Sequence, residues 1–269
     1  MKNVLVLVDL SVESKNALNY AVELFENMQT AFTVLRAEYS TDFTPIEYEE
    51  NRANRIDQLV KSYELQNNLN HTYSVVNSEY SLITAIKTLF STTKYDLIVM
   101  GISSKKELHI QDFSWSYKTV KLINALKDQT FLVVPEGFQF KGLKQALFST
   151  NYNRSFYIKE FKLLVDLINN YDSDLTVSQL MREEYLNKNQ KQNKESLIEI
   201  LKHIKHNFVK IDLNTSEFKA VHDYAVKHES KLITFINHKY NFFTGLLEEH
   251  VAEKATIYSK VPVLILPES

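Results

Sequence analysis

The chain has 269 residues, a formal net charge of -2, no cysteine and 44% hydrophobic residues. This composition supports a packed core of up to two domains, excludes disulfides and thiolate metal sites, and lacks the basic excess of nucleic-acid-binding proteins. The four glycines are far fewer than the roughly 7% that is usual, and no P-loop or G-x-G-x-x-G motif occurs. No apolar run approaches the ~18 residues of a membrane span, so we expect a cytoplasmic protein that binds neither membrane nor nucleic acid.

The first half of the chain alternates strand patterns with amphipathic helix patterns. Residues 4–8 are a continuous apolar run typical of a buried strand, and Leu18, Ala21 and Phe25 follow at helical spacing. The alternation continues to a last strand at residues 131–135. The order β-α-β-α-β-α-β-α-β predicts a parallel sheet covered by helices on both faces.

The second half repeats this pattern after a linker at residues 137–142, which holds two of the four glycines. Residues 96–98 match residues 231–233 at an offset of 135, and residues 133–136 match 265–268 at an offset of 132. A nearly constant offset predicts two tandem α/β domains, residues 1–137 and 143–269. Each is expected to be a five-stranded, mostly parallel sheet with helices on both faces.

The polar tract from Asn187 to Lys194 is the one low-complexity stretch, and its composition predicts a solvated loop leading into a helix that ends near residue 206. His203 and His206 would then share a helical face, but no third ligand stands at a recognisable spacing, so we expect no metal site. No G-x-S-x-G or H-E-x-x-H motif occurs, and we therefore predict neither catalytic residues nor enzymatic activity.

Three segments resemble the universal stress protein family. Residues 4–11, a strand ending in Asp-x-Ser, and residues 17–21, Ala-Leu-Asn-Tyr-Ala, are similar to the family's first strand and helix. Residues 96–101 resemble its fourth strand, and residues 251–267 resemble its last helix and strand. The resemblance covers nearly the whole chain as two copies. It implies two Rossmann-like domains of the adenine nucleotide alpha hydrolase type, which pair through their last strands.

The resemblance also implies where an adenine nucleotide such as ATP would lie. In nucleotide-binding members, the first-strand aspartate contacts the nucleoside, and a Gly-x2-Gly-x9-Gly-[Ser/Thr] segment wraps the phosphates. Asp9 matches the aspartate and Gly101 matches the first glycine, whereas serines and Trp115 replace the later motif residues. The site residues implied by this match are Asp9, Ser11, Ala37, Gly101, Ser103, Ser104, Ser114 and Ser116.

Two of these residues have a structural alternative. Asp9 would equally well cap the following helix, and Gly101 would serve simply to end a strand. In the second half, Asn151 and Asn237 fall near the positions of the aspartate and the first glycine, and Glu249 would repel a phosphate. We therefore expect no nucleotide in the second half.

The sequence predicts a tandem universal stress protein-like protein with a non-enzymatic stress-response or regulatory role and degenerate nucleotide-binding motifs. The alternative is binding of ATP or another adenine nucleotide through the first domain, with little or no hydrolysis. The expected contacts are pairing of the two domains within the chain, an unidentified protein partner and, as an open alternative, a homodimer. Phe242 and Phe243 either pack at the domain interface or form a patch for the partner.

Overall fold

The computed structural model of the chain describes residues 1–37, 46–66, 68–102, 119, 122–180, 183–212, 217–237 and 259–268. The described strands are β1 Lys2–Leu7, β2 Thr30–Ala37, β3 His71–Ser78, β4 Leu97–Ile102, β5 Phe131–Pro135, β6 Gln145–Thr150, β7 Asp174–Gln179, β8 His206–Lys210, β9 Leu232–Ile236 and β10 Val263–Leu266. The α-helices with described bounds are α1 Val12–Leu24, α2 Ile46–Glu64, α3 Leu82–Thr92, α4 Lys162–Tyr171, α5 Lys188–Leu201 and α6 Glu217–Lys227, and 3-10 turns lie at Ile158–Phe161 and Glu183–Tyr185.

These strands form one sheet in the order β3-β2-β1-β4-β5-β10-β9-β6-β7-β8. The C-terminal half of the sheet, β6–β10, repeats the order of the N-terminal half, β1–β5, in the opposite direction. All neighbours within each half are parallel. The predicted α/β architecture of two five-stranded, Rossmann-like parallel arrays is therefore confirmed.

The two halves join through their last strands. β5 and β10 pair antiparallel, and Leu132 stands opposite Leu264 at the centre of the ladder. Because these two leucines occupy corresponding positions of the repeat, an approximate two-fold axis passes between them. The joint has the form that the family resemblance implies.

Each face of the sheet carries one apolar core that runs through both halves. Alternate residues of a strand point to opposite faces, so Val6 and Phe148 pack in one core while Leu7 and Leu147 pack in the other. The linker adds to the first core, because Phe138 and Phe140 place their rings edge-on against Tyr20 at centroid distances of 6.0 and 5.4 Å.

The prediction of a loop in the polar tract is wrong. Asn187 caps α5, which begins at Lys188, so the tract forms the first two turns of a helix. The Asn187 side chain accepts from the Gln190 N–H, and the Gln190 side chain accepts from the Asn187 N–H. This reciprocal cap starts a helix in a segment whose composition alone indicates a loop. The helix ends at Leu201, so His203 lies beyond it and His206 begins β8, and the two histidines do not share a helical face.

Several sequence predictions concern residues outside the described ranges. These are the helix near residue 251, the segment with Phe242, Phe243 and Glu249, and the motif positions between residues 103 and 118.

Candidate functional site

Three of the predicted site residues come together at one edge of the sheet. β1 pairs with β2 through Leu7 and Leu35, and with β4 through Val6 and Val99. Continued along the strands, this register brings Asp9 level with Ala37 and places Gly101 beside Val8. Asp9 and Gly101 thus lie at the carboxyl edge beside the gap between β1 and β4, where the strand order reverses, and Ala37 lies on the other side of β1. Open α/β sheets bind ligands at such switch points.

Asp9 and Ser11 build the turn from β1 into α1. The Ser11 N–H donates to Asp9 Oδ1 at 3.0 Å, and Leu10 between them has a φ of 69°. Ser11 then caps α1, since its Oγ accepts from the Ser14 N–H at 3.1 Å. In the described structure Asp9 therefore orders the turn that precedes the cap. Contact of Asp9 with a nucleoside stays a prediction.

Gly101 lies under the first turn of α1. A Cβ at this position would lie 2.2 Å from the carbonyl oxygen of Glu13 and 2.9 Å from the nitrogen of Ser14. The glycine thus leaves room for the helix backbone, a reason that neither sequence interpretation contained.

The other predicted site residues lie wholly or partly outside the described ranges. Ser103, Ser104, Ser114 and Ser116 are not described, and Ala37 is described only as the last backbone position of β2. Arg36, which the sequence motifs missed, precedes Ala37 and is buried, with 7% of its surface exposed. Its signal in the sequence is a cationic residue near the end of a mostly apolar strand.

The C-terminal half contains the same turn after its first strand. Asn153 donates its N–H to Asn151 Oδ1 at 3.3 Å, and Tyr152 between them has a φ of 57°. An asparagine thus makes the hydrogen bond that Asp9 makes in the N-terminal half. The repeat therefore includes this turn as well as the strands, but the neutral Asn151 replaces the charged Asp9.

Beyond that turn the two halves differ. The helix α1 begins at Val12, three residues after Asp9, whereas a 3-10 turn at Ile158–Phe161 begins seven residues after Asn151 and leads into α4 at Lys162. β6 pairs with β9 through Phe148 and Thr234, and continuing this register puts Ile236 beside Thr150. The sequence analysis puts Asn237 near the position of Gly101, but the register places Ile236 there.

Side chains of α5 bind the polar groups of the second turn. Gln190, which is 4% exposed, donates to the Asn151 carbonyl at 2.9 Å and to Asn153 Oδ1 at 2.8 Å. Asn193 donates to the Tyr152 carbonyl at 2.9 Å. The polar groups of the second turn are therefore bound by the chain's own amides.

Among the described residues, no group of three or more His, Cys, Asp or Glu side chains is placed to hold a metal ion. None of the helices in the described ranges is long and apolar enough to cross a bilayer.

The fold defines an α/β protein with two Rossmann-like halves, and in each half the strand order reverses at a switch point. Residues 1–110 match the model of the universal stress protein family. This match confirms, for the first 110 residues, the resemblance seen in the sequence.

Solved structures share the fold over the full length of the chain. A universal stress protein from Archaeoglobus fulgidus DSM 4304 is similar with a TM-score of 0.68 at 10% identity, covering 99% of this chain and 98% of that one. A putative universal stress protein from Pseudomonas aeruginosa UCBPP-PA14 has a TM-score of 0.57 at 11% identity, with coverages of 99% and 93%. The cytoplasmic domain of a prokaryotic cation chloride cotransporter has a TM-score of 0.56 at 12% identity, with coverages of 99% and 95%. No curated protein matches the chain by sequence.

Proposed function

We propose that this chain is a tandem universal stress protein with a non-enzymatic, regulatory role in the stress response, exercised in the cytoplasm through contact with another protein. The observation that carries this proposal is the turn after β6 in the C-terminal half, whose carbonyl groups are already bound by Gln190 and Asn193. The replacement of the two later motif glycines by Ser104 and Ser114, and of the motif Ser/Thr by Trp115, supports it further.

A second candidate function is binding of ATP or another adenine nucleotide by the N-terminal half. It is favoured by the Asp9–Ser11 turn and by α1, which begins directly after this turn. The first backbone N–H groups of a helix have no partner within the helix and attract anions. Val12, the first residue of α1, is 67% exposed, so solvent reaches this helix end.

The experiment that separates the two functions starts from the purified full chain. We would denature it and look for released nucleotide, and then titrate ATP against the melting temperature. A ligand present at 100 times its Kd adds about 2.7 kcal/mol to the free energy of unfolding, which a melting curve resolves. Micromolar ATP binding would overturn the purely protein-binding role, and no shift at millimolar ATP would overturn the nucleotide-binding role.

Asp9→Asn is the sharpest variant for this titration. Asn151 already makes the equivalent turn in the C-terminal half, so asparagine keeps the hydrogen bond to Ser11 and removes only the charge. If Asp9 contacts the nucleoside, this variant melts like the wild type without ATP and loses the ATP-dependent shift. Asn151→Asp is the matched control and should leave the shift unchanged.

A further inference from the structure

We propose that Gly101 is a positioning residue, which acts on a ligand of the N-terminal half through α1 rather than by touching the ligand's phosphates. Because Gly101 has no Cβ, the first turn of α1 packs closely on β4, and this contact fixes the start of the helix at the switch point. The part that concerns a ligand rests on the proposed nucleotide binding.

The contact at Gly101 involves backbone atoms, which cannot move aside by changing a rotamer. An added Cβ would lie 2.2 Å from the Glu13 carbonyl oxygen and 2.4 Å from its carbonyl carbon. Carbon atoms in ordinary contact are about 3.5–4.0 Å apart, so the whole helix end would have to shift. That end is fixed to the turn by two hydrogen bonds, from the Ser14 N–H to Ser11 Oγ and from the Asp9 N–H to Ser14 Oγ.

The C-terminal half shows the arrangement that accompanies a side chain at this position. Ile236 stands where the N-terminal half has Gly101, and the first helical turn, a 3-10 turn at Ile158–Phe161 that leads into α4, starts seven residues after Asn151 instead of three. Gln190 of α5 binds the turn in this half. The N-terminal half therefore combines a glycine with a helix that starts at the switch point. The C-terminal half combines an isoleucine with a helix that starts further from it.

The test compares Gly101→Ala with Leu69→Ala, whose side chain is 99% exposed. We would measure hydrogen exchange of residues 11–15 and the affinities for ATP and for adenosine, which has no phosphate. In Gly101→Ala, exchange should accelerate by about tenfold and both affinities should fall by about the same factor, which corresponds to about 1.4 kcal/mol. Leu69→Ala should change neither exchange at residues 11–15 nor affinity.

Other results would overturn the proposal. Weaker binding of ATP alone, with unchanged exchange, would mean that Gly101 serves the phosphates directly. Unchanged exchange and unchanged affinities would mean that the helix tolerates the side chain. If the wild type binds neither ligand, the proposed nucleotide binding fails, while the exchange of residues 11–15 still decides the positioning role.

A variant that does not alter the glycine guards against failure of Gly101→Ala to fold. Ser14→Ala removes the hydroxyl that accepts from the Asp9 N–H and donates to the Ser11 carbonyl. It loosens the same helix end, so it should accelerate exchange and weaken ATP and adenosine equally. Loss of ATP binding alone in this variant would contradict control of the site through α1.

Discussion

At the scale of single residues, His222 ties α6 to the segment that enters the last strand. Its Nε2 accepts a hydrogen bond from the Lys260 N–H at 3.0 Å, so this nitrogen carries no proton. Burial lowers the pKa of His222 below its usual value of 6.5, and the charge of Lys260 lowers it further, while Asp223 acts in the opposite direction. The folded protein therefore holds this imidazole neutral.

This neutral histidine makes the protein sensitive to acid. Below about pH 6.5 the unfolded chain takes up a proton at residue 222 that the folded chain does not. The free energy of unfolding therefore decreases as the pH falls from 6.5 to the folded pKa. In His222→Gln, urea unfolding between pH 7 and pH 5 should show a shallower decrease. The exposed His203→Gln should behave like the wild type, and an equal slope in all three proteins would contradict this role of His222.

Tyr171 makes the free energy of unfolding decrease with rising pH in the alkaline range. Its hydroxyl, at the end of α4, donates to the carbonyls of Glu23 and Leu24 at 3.1 and 2.8 Å. Burial and the nearby Glu26 and Glu23 raise its pKa from 10.0 to about 12. The stabilisation is complete below pH 10 and is lost as the pH rises through 12.

Replacing this hydroxyl should therefore act at neutral pH and should matter less at high pH. Tyr171→Phe should lower the free energy of unfolding by about 1 kcal/mol at pH 7, because the donor is lost. Its stability should then fall less steeply than that of the wild type above pH 10. Chemical unfolding at pH 7, 10 and 11 measures both effects, and the exposed Tyr185→Phe is the control. Parallel pH profiles for Tyr171→Phe and the wild type would contradict this account.

At the scale of elements, the Gln190 side chain both caps the start of α5 and binds the turn that follows β6. Gln190→Ala removes half of the reciprocal cap and both hydrogen bonds to the Asn151–Asn153 turn. We expect a loss of about 1–2 kcal/mol in the free energy of unfolding, as for other helix caps, together with faster hydrogen exchange at residues 151–153. Lys191→Ala, one residue further and exposed, should change neither. A stability loss without faster exchange at the turn would show that Gln190 caps the helix but does not hold the Asn151–Asn153 turn.

The elements also show what the sequence could predict. Apolar runs and helical spacing gave the strands and most helices, because those patterns depend only on which side chains are buried. The start of α5 was missed because composition does not reveal a cap between Asn187 and Gln190. The packing role of Gly101 was missed because it depends on Glu13 and Ser14, which are distant in sequence and adjacent only after folding.

At the scale of the whole molecule, the two halves share their sheet and both cores. Besides the β5–β10 ladder, Lys2 of β1 forms an ion pair with Asp166 of α4 at 2.5 Å. Tyr171 of α4 also binds the end of α1. Contacts of this kind couple the halves, so we expect the described ranges to unfold together rather than half by half.

Leu264 is the residue at which this coupling is best tested. It is fully buried, lies opposite Leu132 on the approximate two-fold axis, and belongs to the core that extends through both halves. Leu264→Ala should lower the free energy of unfolding by about 3 kcal/mol, within the range for buried leucines, and Leu69→Ala, whose side chain is 99% exposed, should have no effect. Native-state hydrogen exchange should report this loss equally in β2 and in β7, since neither half keeps its stability without the other. If β7 lost protection while β2 kept it, the halves would be independent domains that merely touch through their last strands.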